Sequence, residues 1–159
     1  MMIAAFLTIW LAVAPPPSSV QQPDSAARAR VSAALRGVQD SLDRVRGAAY
    51  NFRTDLGGAS PLVLFNRAQR MQASCLAADR ALVRLDSALT PTYPAGTLAD
   101  LRRAARTLGG ALADCRREYD TATRWAERAD SVRTWAPYRL RRLDEAMRNF
   151  ARAAVLPRR

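Results

Sequence analysis

The sequence contains no histidine and no lysine. Without imidazole there is no Ser-His or Cys-His nucleophile pair, no histidine acid or base, and no histidine ligand for zinc or haem. Acidic residues are also few, at 14, and most are spaced from an arginine as in ion pairs on a helix surface. We therefore expect a protein that is not an enzyme, needs no cofactor and holds no metal.

Aromatic residues are scarce, at 7% of the sequence, whereas alanine is frequent. This composition favours closely packed helices over a β-sandwich or β-barrel. A length of 159 residues suits one domain, and a hydrophobic content of 49% is sufficient for its core.

All 25 basic residues are arginine, and the net charge is +11. This usage has two interpretations: selection for bidentate contacts to carboxylates or phosphates, or a GC-rich genome. Arginine is spread along the chain from Arg28 onward instead of lying at one site, which favours the second interpretation. The charge itself favours acidic partners, anionic membranes or nucleic acid, whatever its origin.

The first 14 residues form an uncharged apolar run, MMIAAFLTIWLAVA, and a Pro/Ser/Gln-rich linker follows over residues 15–24. We interpret residues 1–14 as a signal peptide or a short N-terminal membrane anchor. Fourteen helical residues span only about 21 Å, less than the hydrocarbon core of about 30 Å, so a cleaved signal is favoured over an anchor. The sequence therefore predicts a periplasmic or secreted protein, with a bundle domain over residues 25–156.

Heptad spacing, with apolar residues alternately four and three apart, predicts two long helices joined by a tight reversal over residues 57–60. Ser60 and Pro61 suit the N-cap and first position of the second helix, and Gly57 and Gly58 tolerate a left-handed turn. The first helix places at its heptad positions Val31, Leu35, Val38, Leu42, Val45, Ala49, Phe52 and Leu56. The second, which we expect to end at Thr90, places there Leu64, Ala68, Met71, Cys75, Ala78, Leu82, Leu85 and Leu89.

A third long helix is predicted from a Thr97–Asp100 capping box to about Thr134. Its heptad positions hold Leu98, Leu101, Ala105, Leu108, Leu112, Cys115, Tyr119, Ala122, Ala126 and Ala129, and the last segment of the chain continues the pattern with Leu140, Leu143, Met147, Phe150 and Ala154. Pro137 then either begins a fourth helix or kinks the third, because proline lacks the amide hydrogen that a helix interior needs. The fold class is therefore all-α, an antiparallel up-down helical bundle of three long helices plus a shorter C-terminal helix. Cys75 and Cys115 lie at heptad positions of similar height on adjacent helices, which predicts a disulfide in an oxidising compartment.

The last predicted helix is basic on one face and apolar on the other, and aromatic residues precede it. Trp, Tyr and Arg are the residue types that dominate interface hot spots. The candidate partner-binding residues are Trp125, Trp135, Tyr138, Arg139, Arg141, Arg142 and Arg148. The competing interpretation is an ordinary solvated face of a bundle helix.

Two functional hypotheses follow from this surface. The first is a structural or accessory interaction subunit of a cell-envelope assembly, which binds a protein partner with an acidic surface. The second is a peripheral envelope protein whose basic C-terminal helix binds anionic lipid or polysaccharide. Nucleic acid is not expected as a partner, because the sequence carries no recognised binding motif and predicts export.

Overall fold

The computed structural model describes residues 25–93, 98–119 and 129–154, which form an all-α helical bundle. Its four described helices are α1 (Ser25–Asp55), α2 (Pro61–Thr92), α3 (Ala99–Glu118) and α4 (Ala129–Ala153). The helix α1 packs along α2, α2 against α3, and α3 against α4, while α4 and α1 contact each other over a smaller area. The up-down order of the helices stays a prediction. The predicted signal or anchor and the linker lie outside the described residues.

The heptad pattern identifies the core correctly in α1 and α2. All sixteen predicted positions in these two helices are buried, with Ala27 and Ala81 in addition. In α3 and α4 the described heptad positions are buried or packed against the core. Each Å² of apolar surface that is buried contributes about 25 cal/mol of stabilisation, so the buried heptad positions are the main source of stability.

The third helix is shorter than predicted. It begins after Leu98, which is the N-cap and makes no side-chain capping bond, so the predicted Thr97 cap is not the start of the helix. It ends at Glu118, followed by the buried Tyr119 as C-cap. Beyond that point the heptad positions hold only alanine, which buries little surface and does not discriminate a continuing helix from an ending one.

Pro137 lies inside α4, so both predictions for it were wrong. A proline in a helix interior costs about 3 kcal/mol. Its own ring is exposed, and the neighbouring Val132, Ala136 and Leu140 are all buried on one face of α4. Packing of this face against the bundle therefore outweighs the local cost. Pro91 likewise lies inside the last turn of α2, which ends at Thr92 instead of at Thr90.

The α1–α2 reversal starts its second helix as predicted but is closed differently. Ser60 is the N-cap of α2, its hydroxyl accepts a hydrogen bond from the Val63 amide at 3.4 Å, and Pro61 follows. None of the described glycines has a positive φ, so the predicted left-handed turn at Gly57 and Gly58 does not occur.

Arg133 of α4 donates hydrogen bonds to backbone carbonyls of this turn. Its Nε donates to the Leu56 carbonyl at 3.0 Å, one Nη donates to the Ala59 carbonyl at 3.0 Å, and the other Nη pairs with Asp130 at 2.8 Å. Carbonyls at a helix C-terminus lack partners within the helix. One guanidinium therefore satisfies the end of α1 and fixes the start of α4 against it.

Replacing Arg133 with alanine is expected to lower the free energy of unfolding by about 1–3 kcal/mol, because two carbonyls lose charge-assisted hydrogen bonds. Urea denaturation measures the change. Arg133→Lys is the matched control: it keeps the charge but loses the planar fork that reaches both carbonyls, so it should be destabilised nearly as much. If lysine restored full stability, the role would be charge alone.

Candidate interaction surface

The outer face of α4 carries the predicted partner-binding residues that are exposed. We call Tyr138, Arg141, Arg142 and Arg148 the α4 surface; all four are exposed, Tyr138 at 59%. The whole helix contains six arginines and three acidic residues. The α4 surface is therefore a basic patch with an aromatic side chain in it.

The opposite face of α4 belongs to the bundle core. Leu140, Leu143, Met147 and Phe150 are each no more than 4% exposed. A basic amphipathic helix that enters a lipid surface does so with its apolar face. In this fold that face is already buried, so only the polar face of α4 is available to a partner.

The other candidate residues have different positions. Arg139 is half-buried and its Nε lies 3.1 Å from a carboxylate oxygen of Glu118 in α3. Trp135 is half-buried, and its ring lies 5.8 Å from that of Tyr119, so this tryptophan takes part in the packing of α4 on α3. Trp125 lies outside the described residues. Partner binding by these residues stays a prediction.

An aromatic cluster anchors α4 where it meets α1 and α3. Phe52 and Tyr119 make an edge-to-face contact with centroids 5.3 Å apart, and Trp135 packs on Tyr119 from α4. Edge-to-face aromatic pairs contribute about 0.5–1.5 kcal/mol beyond the area that they bury. Burial raises the pKa of the Tyr119 hydroxyl well above its usual range, so this side chain stays neutral in the folded protein. The cluster thereby holds α4 in place against α1 and α3, and so positions the α4 surface.

The predicted disulfide is present and lies between α2 and α3. Cys75 and Cys115 are bonded, with Cα atoms 6.3 Å apart, and both residues are buried. Arg116, next to Cys115, also pairs with Asp79 of α2 at 3.4 Å. A covalent bond and an ion pair thus hold α3, the helix on which α4 packs, against α2.

A groove of about 390 Å³ runs between α3 and α4. Small residues leave it open: Gly110 and Ala111 of α3 lie opposite Ala146 of α4, and a Cβ added at Gly110 would meet nothing within 4 Å. Its polar lining includes the Glu118–Arg139 pair. Desolvation by burial raises the pKa of Glu118, against the lowering effect of Arg139.

The raised pKa of Glu118 predicts a pH dependence of stability. A carboxyl whose pKa is higher in the folded than in the unfolded state binds its proton more tightly when folded, so its contribution to stability grows as the pH falls through that window. The free energy of unfolding of the wild type, relative to Glu118→Gln, should therefore increase as the pH falls from 7 toward the ordinary glutamate pKa. Urea titrations at a series of pH values measure this difference, and a difference that decreased would contradict the assignment.

A second depression, of about 370 Å³, lies between α1 and α4. It is lined by Arg53, Pro137, Arg141, Asp144 and Arg148, which we call the α1–α4 cleft. Sequence reasoning missed Arg53, because nothing in the local pattern of α1 indicates that this residue meets a helix more than 80 positions later. It also missed Arg133, for the same reason.

Over residues 25–93, 98–119 and 129–154 no three His, Cys, Asp or Glu side chains are grouped so that they could hold a metal ion. In the same part of the chain, no helix combines the length and the apolar character needed to cross a membrane. We consider the α4 surface and the α1–α4 cleft for function, because exposed arginines line both of them. No protein-family model, curated protein or solved structure matches the chain.

Proposed function

We propose that this protein is an exported, non-enzymatic accessory subunit of a cell-envelope assembly, and that its α4 surface binds the acidic surface of a protein partner. The observation that carries the proposal is the division of α4 into a buried apolar face and an exposed basic face with Tyr138 in it. Tyr and Arg are enriched among the few hot-spot residues that dominate the binding energy of protein interfaces. A helix fixed in a bundle presents them with little further loss of conformational entropy.

Two features of the chain support the location and the class. A Cys75–Cys115 disulfide is typical of proteins in oxidising compartments and rare in the cytosol. The absence of histidine from the sequence removes the commonest catalytic acid, base and metal ligand. Together they favour a stable exported binding protein.

The same division of α4 favours a protein partner over insertion into lipid. The apolar side chains that would enter the membrane interface are packed in the core, so lipid binding would be limited to electrostatic contact with the arginines. Such contact is screened by salt and decays over a Debye length of about 8 Å at physiological ionic strength. A protein surface with matched carboxylates and a site for Tyr138 would contact both the arginines and the tyrosine of the α4 surface, whereas a lipid surface would contact only the arginines.

Affinity purification from the native organism tests the proposal. Arg142→Glu, which leaves the α1–α4 cleft unchanged, should sharply reduce recovery of a specific partner, because like charges then face its acidic surface. The matched control is Arg84→Glu, which makes the same charge change at an exposed position of α2. Quantitative mass spectrometry of the three eluates is the readout. Equal loss in both variants, or no loss in either, would contradict the assignment of the α4 surface.

A further inference from the structure

The α1–α4 cleft is lined by three arginines from two helices. Arg53 projects from α1, and Arg141 and Arg148 project from α4. All three residues are exposed, and Pro137 forms the remaining wall with Asp144. A cation cluster of this kind costs electrostatic repulsion and has no evident role in packing, since none of the three arginines belongs to the core.

The charges of the cleft are only partly compensated within the protein. Asp144 pairs with Arg148, and among the described residues it is the only acidic one in the lining. Arg53 and Arg141 form no ion pair within the part of the chain that the structure describes. The cleft therefore carries a formal charge of about +2, which suits a doubly charged anion.

We propose that the α1–α4 cleft binds a phosphomonoester dianion. This group carries a charge of about −1.5 to −2 at neutral pH and presents three acceptor oxygens, one for each guanidinium. A single carboxylate offers one charge and two oxygens, and it would leave one arginine unmatched. The volume of about 370 Å³ leaves space beside the phosphate for the first atoms of its substituent.

The inference goes beyond partner binding and is separable from it. Arg53 lies in the cleft but not in the α4 surface, whereas Arg142 lies in the α4 surface but not in the cleft. Substitution of Arg53 therefore tests the phosphate site, and substitution of Arg142 tests the protein interface. Failure of one leaves the other measurable.

Isothermal titration calorimetry of the disulfide-bonded protein with methyl phosphate at pH 7.5 or above is the direct test, with dimethyl phosphate as the ligand control. The diester has a similar shape but one charge and two free oxygens, so it should bind at least about tenfold more weakly. Saturation with one site per chain is expected for the monoester. No saturable binding up to about 10 mM monoester would overturn the proposal.

Three variants assign the binding to the cleft. Arg53→Ala should weaken methyl phosphate binding by about tenfold or more, and Arg53→Lys should recover only part of it, because lysine lacks the bidentate fork. Asp144→Asn removes the competing carboxylate and should tighten binding. Arg36→Ala, at an exposed position elsewhere on α1, changes the net charge equally and should leave the affinity unchanged. Equal weakening by Arg36→Ala and Arg53→Ala would show general attraction to a basic protein and would overturn the site.

The phosphomonoester could come from a soluble compound or from a lipid headgroup. Sedimentation with vesicles containing phosphatidic acid, compared with vesicles of equal charge containing phosphatidylglycerol, separates these sources. Preference for phosphatidic acid that Arg53→Ala removes identifies a lipid. Binding of glycerol phosphate without vesicle preference identifies a soluble ligand.

Discussion

Removal of the Cys75–Cys115 bond is expected to lower the free energy of unfolding by about 4 kcal/mol. The bond closes a loop of 40 residues, and the chain-entropy model gives about this value for a loop of that length. Cys75→Ala with Cys115→Ala is the appropriate variant, because alanine leaves no polar atom at two buried positions. Urea denaturation of the variant and of the oxidised wild type measures the difference.

Reduction of the wild type provides the control for this prediction. The reduced protein and the double variant should have similar stabilities, apart from the small cavity that loss of two sulfur atoms leaves. The circular dichroism of the double variant should still report a helical protein, because the heptad core of α1 and α2 does not depend on the bond. A loss below about 1 kcal/mol would contradict the prediction. It would mean that the bond restricts the unfolded chain much less than the chain-entropy model assumes.

Phe52→Ala is expected to cost about 3–5 kcal/mol, the range observed when a buried phenylalanine is truncated. Phe52 is fully buried and makes the edge-to-face contact with Tyr119, on which Trp135 packs in turn. Loss of its ring should therefore loosen α4 as well as α1. Chemical denaturation measures the stability, and near-UV circular dichroism reports the packing of the aromatic cluster.

Phe52→Leu is the matched control for this substitution. Leucine fills much of the space but offers no ring edge to Tyr119. The Phe52→Leu variant should therefore lose clearly less stability than Phe52→Ala, but its near-UV circular dichroism should still differ from that of the wild type. If both variants were as stable as the wild type, the cluster would not be part of the core that positions α4.

The core of α1 and α2 could be predicted from the sequence because its information is local. Each heptad position is specified by neighbours three and four residues away, and burial follows directly from that spacing. The Cys75–Cys115 bond could be predicted for a related reason, since helix rise alone sets the heights of the two residues on neighbouring helices.

The features that the sequence did not indicate depend on distant parts of the chain. Arg133 satisfies carbonyls at the end of α1 and so replaces the expected left-handed glycine turn. Arg102 acts similarly at the end of α2, where its Nη donates to the carbonyls of Leu89 at 3.4 Å and Tyr93 at 3.1 Å. Since arginine occurs throughout the chain from Arg28 onward, no local pattern distinguishes these two from the solvated ones.

Where α3 ends and where α4 begins depends on small differences between the cost of local structure and the free energy gained by packing. An alanine side chain has little apolar surface to bury, so the alanines at heptad positions after Tyr119 are weak evidence for a helix, and periodicity alone overestimated the length of α3. Pro137 has the opposite effect, because its local cost argues for a helix boundary that tertiary packing overrides. The same limit applies to the α1–α4 cleft. The sequence shows its arginines, but it does not show that Arg53 of α1 lies beside α4.

Site-specific photocrosslinking in the native organism tests the central claim, that the α4 surface binds a protein partner, most directly. A photoreactive phenylalanine at position 138 probes the α4 surface, and the same residue at position 83 probes an outward position of α2; Tyr138 and Val83 are similarly exposed, at 59% and 63%. The proposal predicts a discrete adduct with one acidic protein from position 138, lost on Arg142→Glu, and no such adduct from position 83. Identical adducts from both positions, or a discrete adduct from position 83 alone, would contradict it.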